Sequence, residues 1–85
     1  MNSMRDLLRT RRYEALRAIL KQARTDGGLS QAQTAALIGR PQTYISDIET
    51  GVRRLDVAEF LRLAKALKLD PATVIAKVDK VRDRY

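Results

Sequence analysis

The 85-residue chain has no cysteine, no histidine and no tryptophan, and its aromatics number one phenylalanine and three tyrosines. Without cysteine there is neither a disulfide framework nor a reactive thiol. Without histidine as well, the usual zinc ligands and the commonest general base at neutral pH are missing. No metal or other cofactor is therefore expected. Serine, aspartate, glutamate and lysine remain, yet no paired carboxylates, phosphate-binding glycine loop or nucleophile motif stands out, so the chain does not read as an enzyme. No apolar run approaches the roughly 18 residues of a membrane span, and the N-terminus lacks the apolar stretch of a signal peptide. A soluble, cytoplasmic protein without a membrane partner is the expectation.

The residues present define one small domain, 1–85, with 45% apolar residues. A chain of this size buries only about two thirds of its surface, so burial against a second subunit would help it. The formal net charge is +7, which favours a polyanionic partner. Its distribution says more than its sum. Residues 1–25 carry seven basic against two acidic side chains, whereas residues 26–50 carry Arg40 alone against Asp26, Asp47 and Glu49.

Hydrophobic spacing predicts five helices and no strands, an all-α fold packed ridge into groove around one core. Leu16, Ile19, Leu20 and Ala23 follow i, i+3, i+4, i+7 on a first helix beginning near Ser3 and ending at Thr25-Asp26-Gly27-Gly28. A second helix is expected over 31–38 and a third over 41–50. A fourth, over 57–67, opens on Asp56 with Glu59 at the capping-box position, and Phe60, Leu61, Leu63, Ala64 and Leu67 are expected to face inward. Asp70-Pro71 starts a fifth helix, which is expected to place Ile75 in the core and to run toward Val81.

The most informative segment is Ser30 to Gly51, SQAQTAALIGRPQTYISDIETG. Ser30 can accept from the Gln33 amide while Gln33 reaches back, the Ser-x-x-Gln form of a capping box. Ala35 falls where a longer side chain would hold two crossing helices apart. Gly39 falls at a turn that calls for positive φ, and Pro41 suits the start of the next helix. Ile45 and Ile48, three apart, share one face of that helix, and Gly51 closes it.

This pattern, Gly28-Leu29-Ser30-Gln31, Ala35, Ile38-Gly39, Ile45-Ser46, Ile48-Glu49 and Gly51, continuing into Leu61 to Leu69, resembles the helix-turn-helix regulators of the phage-repressor and Cro type, the XRE family. Thr34 departs from the pattern, since the family usually carries leucine there. The resemblance implies a five-helix DNA-binding domain with its helix-turn-helix at 30–51 and a C-terminal extension. In such proteins the second helix of the motif enters the major groove N-terminal end first. With Ile45 and Ile48 turned to the core, Gln42, Thr43, Ser46, Asp47 and Thr50 turn outward. Gln42 suits adenine, Thr43 a base edge or a thymine methyl, and Asp47 the cytosine amino group, unless an ion pair with Arg40 occupies it.

The resemblance further implies that Gln31 bonds a phosphate and braces Gln42, and that Arg24 and Glu49 form an internal ion pair. Tyr44, Thr50, Arg53 and Arg54 are expected at the DNA backbone, with Arg11, Arg12 and Arg17 as weaker candidates. Arg5, Arg9, Arg11 and Arg12 also read as a solvated charge run. Val74, Val78, Val81 and Tyr85 form a narrow seam on the last helix, 71–85, which either dimerises two copies or folds back onto the first helix. The expected function is a sequence-specific double-stranded DNA-binding regulator acting as a homodimer on a palindromic operator, a repressor that works by occupying DNA. The competing reading is an antitoxin or adaptor-type module whose main partner is another protein.

Overall fold

The structure is a computed structural model that describes residues 10–83. The start expected near Ser3, the arginines Arg5 and Arg9, and Tyr85 lie outside the described residues. Five helices follow in order: α1 (Arg11–Asp26), α2 (Gln31–Leu37), α3 (Gln42–Thr50), α4 (Val57–Ala66) and α5 (Pro71–Asp79). The described residues contain no strand.

Four of the five helices start where a side chain accepts from an amide of the first turn, and α3 is the exception. Both expected capping boxes form, Ser30 with Gln33 and Asp56 with Glu59. Asp70 caps α5 with Pro71 at its first turn. Thr10 caps α1, and the Asp83 carboxylate, arriving from the far end of the chain, accepts the Arg11 amide at 2.8 Å and the Arg12 amide at 3.2 Å. Pro41 stands one place earlier than expected, as the cap of α3 rather than its first residue. Its extended ψ of 158° turns the chain into α3. Gly39 (φ 68°) and Gly51 (φ 82°) bracket that helix in the left-handed region, which costs other residues steric strain.

The core draws on all five helices: Leu20 from α1, Ala35 from α2, Tyr44, Ile45 and Ile48 from α3, Phe60, Leu63 and Ala64 from α4, and Val74 from α5, closed by Ile38, Leu55 and Leu67. Full burial of an isoleucine such as Ile48 stabilises the fold by about 1.5–3 kcal/mol. Ala35 is buried where α2 crosses α3, and α1 packs on both α3 and α5. Thr34, the departure from the family pattern, is also fully buried. Its hydroxyl donates to the Ser30 carbonyl at 3.0 Å, so the polar atom introduced at a usually apolar position is satisfied within its own helix.

Three expectations about which side faces inward are corrected. Leu61 is 49% exposed, because Phe60, Leu63, Ala64 and Leu67 already define the buried stripe of α4 and Leu61 falls about 100° off Phe60. It shares the outer face with Val57 instead. On α5 the expected assignments reverse: Val74 is 3% exposed and in the core, while Ile75 is 51% exposed. Val78, one turn after Val74, packs against the same core. The helix stops at Asp79, and the half-buried Val81 follows in an irregular segment. There Arg12 donates to the Asp79 and Val81 carbonyls, both at 3.1 Å. Of the two readings left open for the valine seam, Val74 and Val78 follow the second: they turn toward their own subunit, and α5 and the segment after it fold back toward α1.

Candidate nucleic-acid interface

The N-terminal half of α3 presents Gln42 and Thr43 to solvent, with Ser46 and Asp47 half-exposed one turn later and Thr50 exposed at the end. The Ser46 and Thr50 hydroxyl protons stay in the helix. Ser46 donates to the Thr43 carbonyl at 3.3 Å and Thr50 to the Ser46 carbonyl at 2.8 Å. The oxygen lone pairs are left as acceptors, and Thr50 must break that bond to donate to a phosphate. Asp47 has no ion pair with Arg40 or any other cation within 4.0 Å among the described residues. Its carboxylate is left to accept from elsewhere.

A chain of polar contacts runs from α1 through α2 to the tip of α3. Arg24 grips Glu49 with two donors, Nε to Oε2 at 2.6 Å and the terminal nitrogen to Oε1 at 3.0 Å, while its other terminal nitrogen donates to the Leu29 carbonyl at 2.9 Å. Glu49 Oε1 also accepts from the Gln31 amide nitrogen at 2.9 Å. Gln31 in turn accepts from the Gln42 amide nitrogen at 3.1 Å. The ion pair is nearly dry, with side-chain exposures of 12% and 7%. Burial alone would raise the Glu49 carboxyl, but the hydrogen bonds from Arg24 and Gln31 and the nearby Arg24 and Lys21 charges outweigh it and hold its pKa below the usual value. Gln42 keeps its amide oxygen and one N–H for a ligand. Those are the two groups that a bidentate contact with adenine N6 and N7 uses.

Tyr44 departs from expectation. It is 6% exposed and belongs to the core, so it is not an exposed phosphate contact. The signal was in the spacing, since Tyr44 precedes Ile48 by four residues and so shares its inward face. The phenol ring lies beneath two guanidinium groups, Arg53 at 4.6 Å and Arg40 at 5.2 Å from its centre. Burial and the hydrogen bond to the Glu59 carboxylate raise the Tyr44 pKa, so the hydroxyl remains a donor at neutral pH. Glu59 also pairs with Arg53 at 3.0 Å. This cluster of Arg40, Tyr44, Arg53 and Glu59 was not read from the sequence as a unit.

Arg53 is therefore held inside the subunit on one side and exposed on the other, and Arg54 is exposed with no carboxylate within 4.0 Å among the described residues. Of the weaker candidates, Arg11 is exposed, and Arg12 is engaged by the C-terminal segment, with Asp79 at 3.7 Å. Arg17 lies against Gly51 at the C-terminal end of α3.

A buried brace beneath an exposed, glycine-bracketed second helix is the geometry of a helix-turn-helix, and the helix-turn-helix family model matches residues 20–74. The chain belongs to this family. Solved relatives agree in both sequence and shape. This XRE-type helix-turn-helix chain is 40% identical to an XRE-family like protein from Pseudomonas syringae pv. tomato, with a TM-score of 0.76 over 80% of this chain and 83% of that one. It is 34% identical to the restriction-modification controller protein C.AhdI from Aeromonas hydrophila, with a TM-score of 0.64 over 69% and 86% of the two chains. The clp gene regulator ClgR from C. glutamicum, at 23% identity and a TM-score of 0.70 over 93% and 92%, shares the fold. No match was found among curated proteins. The XRE family is one of DNA-binding transcription regulators, which places the helix-turn-helix of this chain in a DNA-binding class. No helix among its described residues is long and apolar enough to cross a membrane.

Proposed function

We propose that this chain is a sequence-specific regulator that reads double-stranded DNA with α3 in the major groove and represses by occupying a palindromic operator. The observation that carries the reading is the braced position of Gln42, tied through Gln31 and Glu49 to Arg24. A side chain fixed before contact loses less rotamer entropy on binding and discriminates more sharply. Gln42, Thr43, Ser46 and Asp47 read bases, while Gln31, Thr50, Arg53 and Arg54 meet phosphates. Because residues 26–50 are net negative, affinity rests on arginines outside the motif, Arg53 and Arg54 foremost.

The operator is bound by a homodimer. Val74 is already in the subunit's own core, so the second copy meets a different surface, the exposed apolar residues Val57 and Leu61 on α4 and Ile75 on α5. An isologous contact there is expected to space two reading helices about 34 Å apart, one turn of DNA. Selection from a random duplex library tests both parts. Enrichment of an inverted repeat with half-sites about 10 base pairs apart is expected. Failure to enrich any sequence would overturn sequence-specific regulation and favour a protein partner. Leu61→Asp is expected to give monomers by sedimentation, and an unchanged mass would reject this dimer surface.

A further inference from the structure

The cluster around Tyr44 has a role that packing alone does not explain. A core tyrosine calls for one polar neighbour at its hydroxyl, and the Glu59 carboxylate is beside it. Two arginines over the same ring are more than burial requires. They come from opposite ends of the reading helix in the sequence, Arg40 from the turn before α3 and Arg53 from the loop after it. That loop is itself pinned, since the Val52 and Arg53 amides donate to the Asp47 carbonyl at 3.0 and 3.2 Å.

A guanidinium stacked on an aromatic face has its plane fixed while its N–H edge stays open, which a lysine ammonium cannot reproduce. Of the five N–H donors of Arg53, one terminal nitrogen is engaged with Glu59 at 3.0 Å. Arg40 has no carboxylate within 4.0 Å among the described residues, and its side chain is exposed. The Tyr44 ring therefore gathers two oriented cations on one flank of a helix whose own segment is net negative.

We propose that Tyr44 and Glu59 are positioning residues that hold Arg40 and Arg53 as a paired clamp for the phosphate backbone, and that Arg40 is a phosphate contact in its own right. The inference rests on the DNA-binding reading above and deepens it. The clamp adds affinity for any sequence and no base preference. It explains how a reading helix that carries no cation of its own approaches DNA: the cations stand just before and just after α3 and are aligned by a residue from its buried face.

The test is the salt dependence of binding to a random-sequence duplex, measured by fluorescence anisotropy for the full chain and for variants shown by thermal melting to be folded. Each phosphate contact contributes about 0.9 to the slope of log K against log salt concentration. Arg40→Ala, at an exposed position, is expected to lower the slope by about 1, and Tyr44→Leu by between about 1 and 2. Arg40→Ala added to Tyr44→Leu is expected to lower it no further, because the arginine has already lost its platform. Tyr44→Phe, which keeps the ring and loses the hydroxyl, is expected to retain the Arg40 contribution. A folded Tyr44→Leu with the wild-type slope, or an Arg40→Ala with the wild-type slope, would overturn the clamp. If Tyr44→Leu does not fold, Arg40→Ala alone decides the matter. A wild-type chain with no affinity for duplex DNA would overturn the DNA-binding reading and the clamp together, whereas wild-type binding with unchanged variant slopes would overturn the clamp alone.

Discussion

Removing the carboxylate of Glu49 is the perturbation that probes the brace most severely. In Glu49→Ala three charge-assisted hydrogen bonds disappear, two from Arg24 at 2.6 and 3.0 Å and one from Gln31 at 2.9 Å. The Arg24 side chain, only 12% exposed, keeps the Leu29 carbonyl as its acceptor and is left without a counter-charge. The three bonds together correspond to about 4.5–9 kcal/mol at the usual value for bonds to charged groups. Part of that is returned because a carboxylate no longer has to be desolvated, so a loss of about 3–5 kcal/mol is expected, as for other broken buried pairs. Domains of this size have roughly 5–15 kcal/mol in total. At about 4–8 °C per kcal/mol, even the lower figure lowers Tm by roughly 12–24 °C. Circular dichroism during heating and urea titration measure it. The double variant Arg24→Met/Glu49→Leu is expected to lose much less than either single change, since neither charge then remains buried. A Glu49→Ala variant within about 1 kcal/mol of wild type would refute the reasoning, because the pair would then be behaving as a solvent-exposed one.

Other perturbations follow from the same geometry. Gly51→Ala is expected to destabilise by about 1–2 kcal/mol in urea titration, because φ is 82° and the new methyl would meet the Arg17 guanidinium carbon at 2.9 Å. Gly39→Ala, with φ 68° but open space around it, is expected to cost less than Gly51→Ala. Gln42→Ala is expected to relax base choice, whereas Arg54→Ala weakens all duplexes alike, as read by competition binding. For pH, the Glu49 carboxyl is depressed in the folded state, so its stabilisation is complete above the ordinary value of 4.5 and is lost as pH falls through the lower folded value. Urea titrations are expected to show that Glu49→Gln removes part of the acid-side loss of stability below about pH 4.5 and changes little of its pH dependence from 5 to 7.

Periodicity and caps made most of the fold legible. The capping residues Ser30, Asp56 and Asp70 and the left-handed glycines Gly39 and Gly51 act through their own neighbours, so local sequence determines them. What was misread depends on choosing between adjacent positions on one helix. Ile75 and Val74 are both strongly apolar and about 100° apart, and the placement of α1 and α4 against α5 decides which is covered. Leu61 was misread for the same reason beside Phe60. At the interface, the resemblance implies the Arg24–Glu49 pair and the Gln31–Gln42 brace but not the Gln31–Glu49 bond that joins them, and it puts Tyr44 on the wrong side of α3. Its partners Arg40, Arg53 and Glu59 come from three separate segments, and no local pattern brings them together. Arg12 was likewise read as a free surface charge, although the C-terminal residues fold back upon it.

A preset α3 discriminates between base sequences. This is tested most directly by the ratio of affinities for a selected operator and for random duplex at physiological salt. A ratio of about 10³ or more is expected, collapsing toward unity in Gln42→Ala/Thr43→Ala. A ratio near one for the wild-type chain, with both affinities falling together as salt rises, would contradict it.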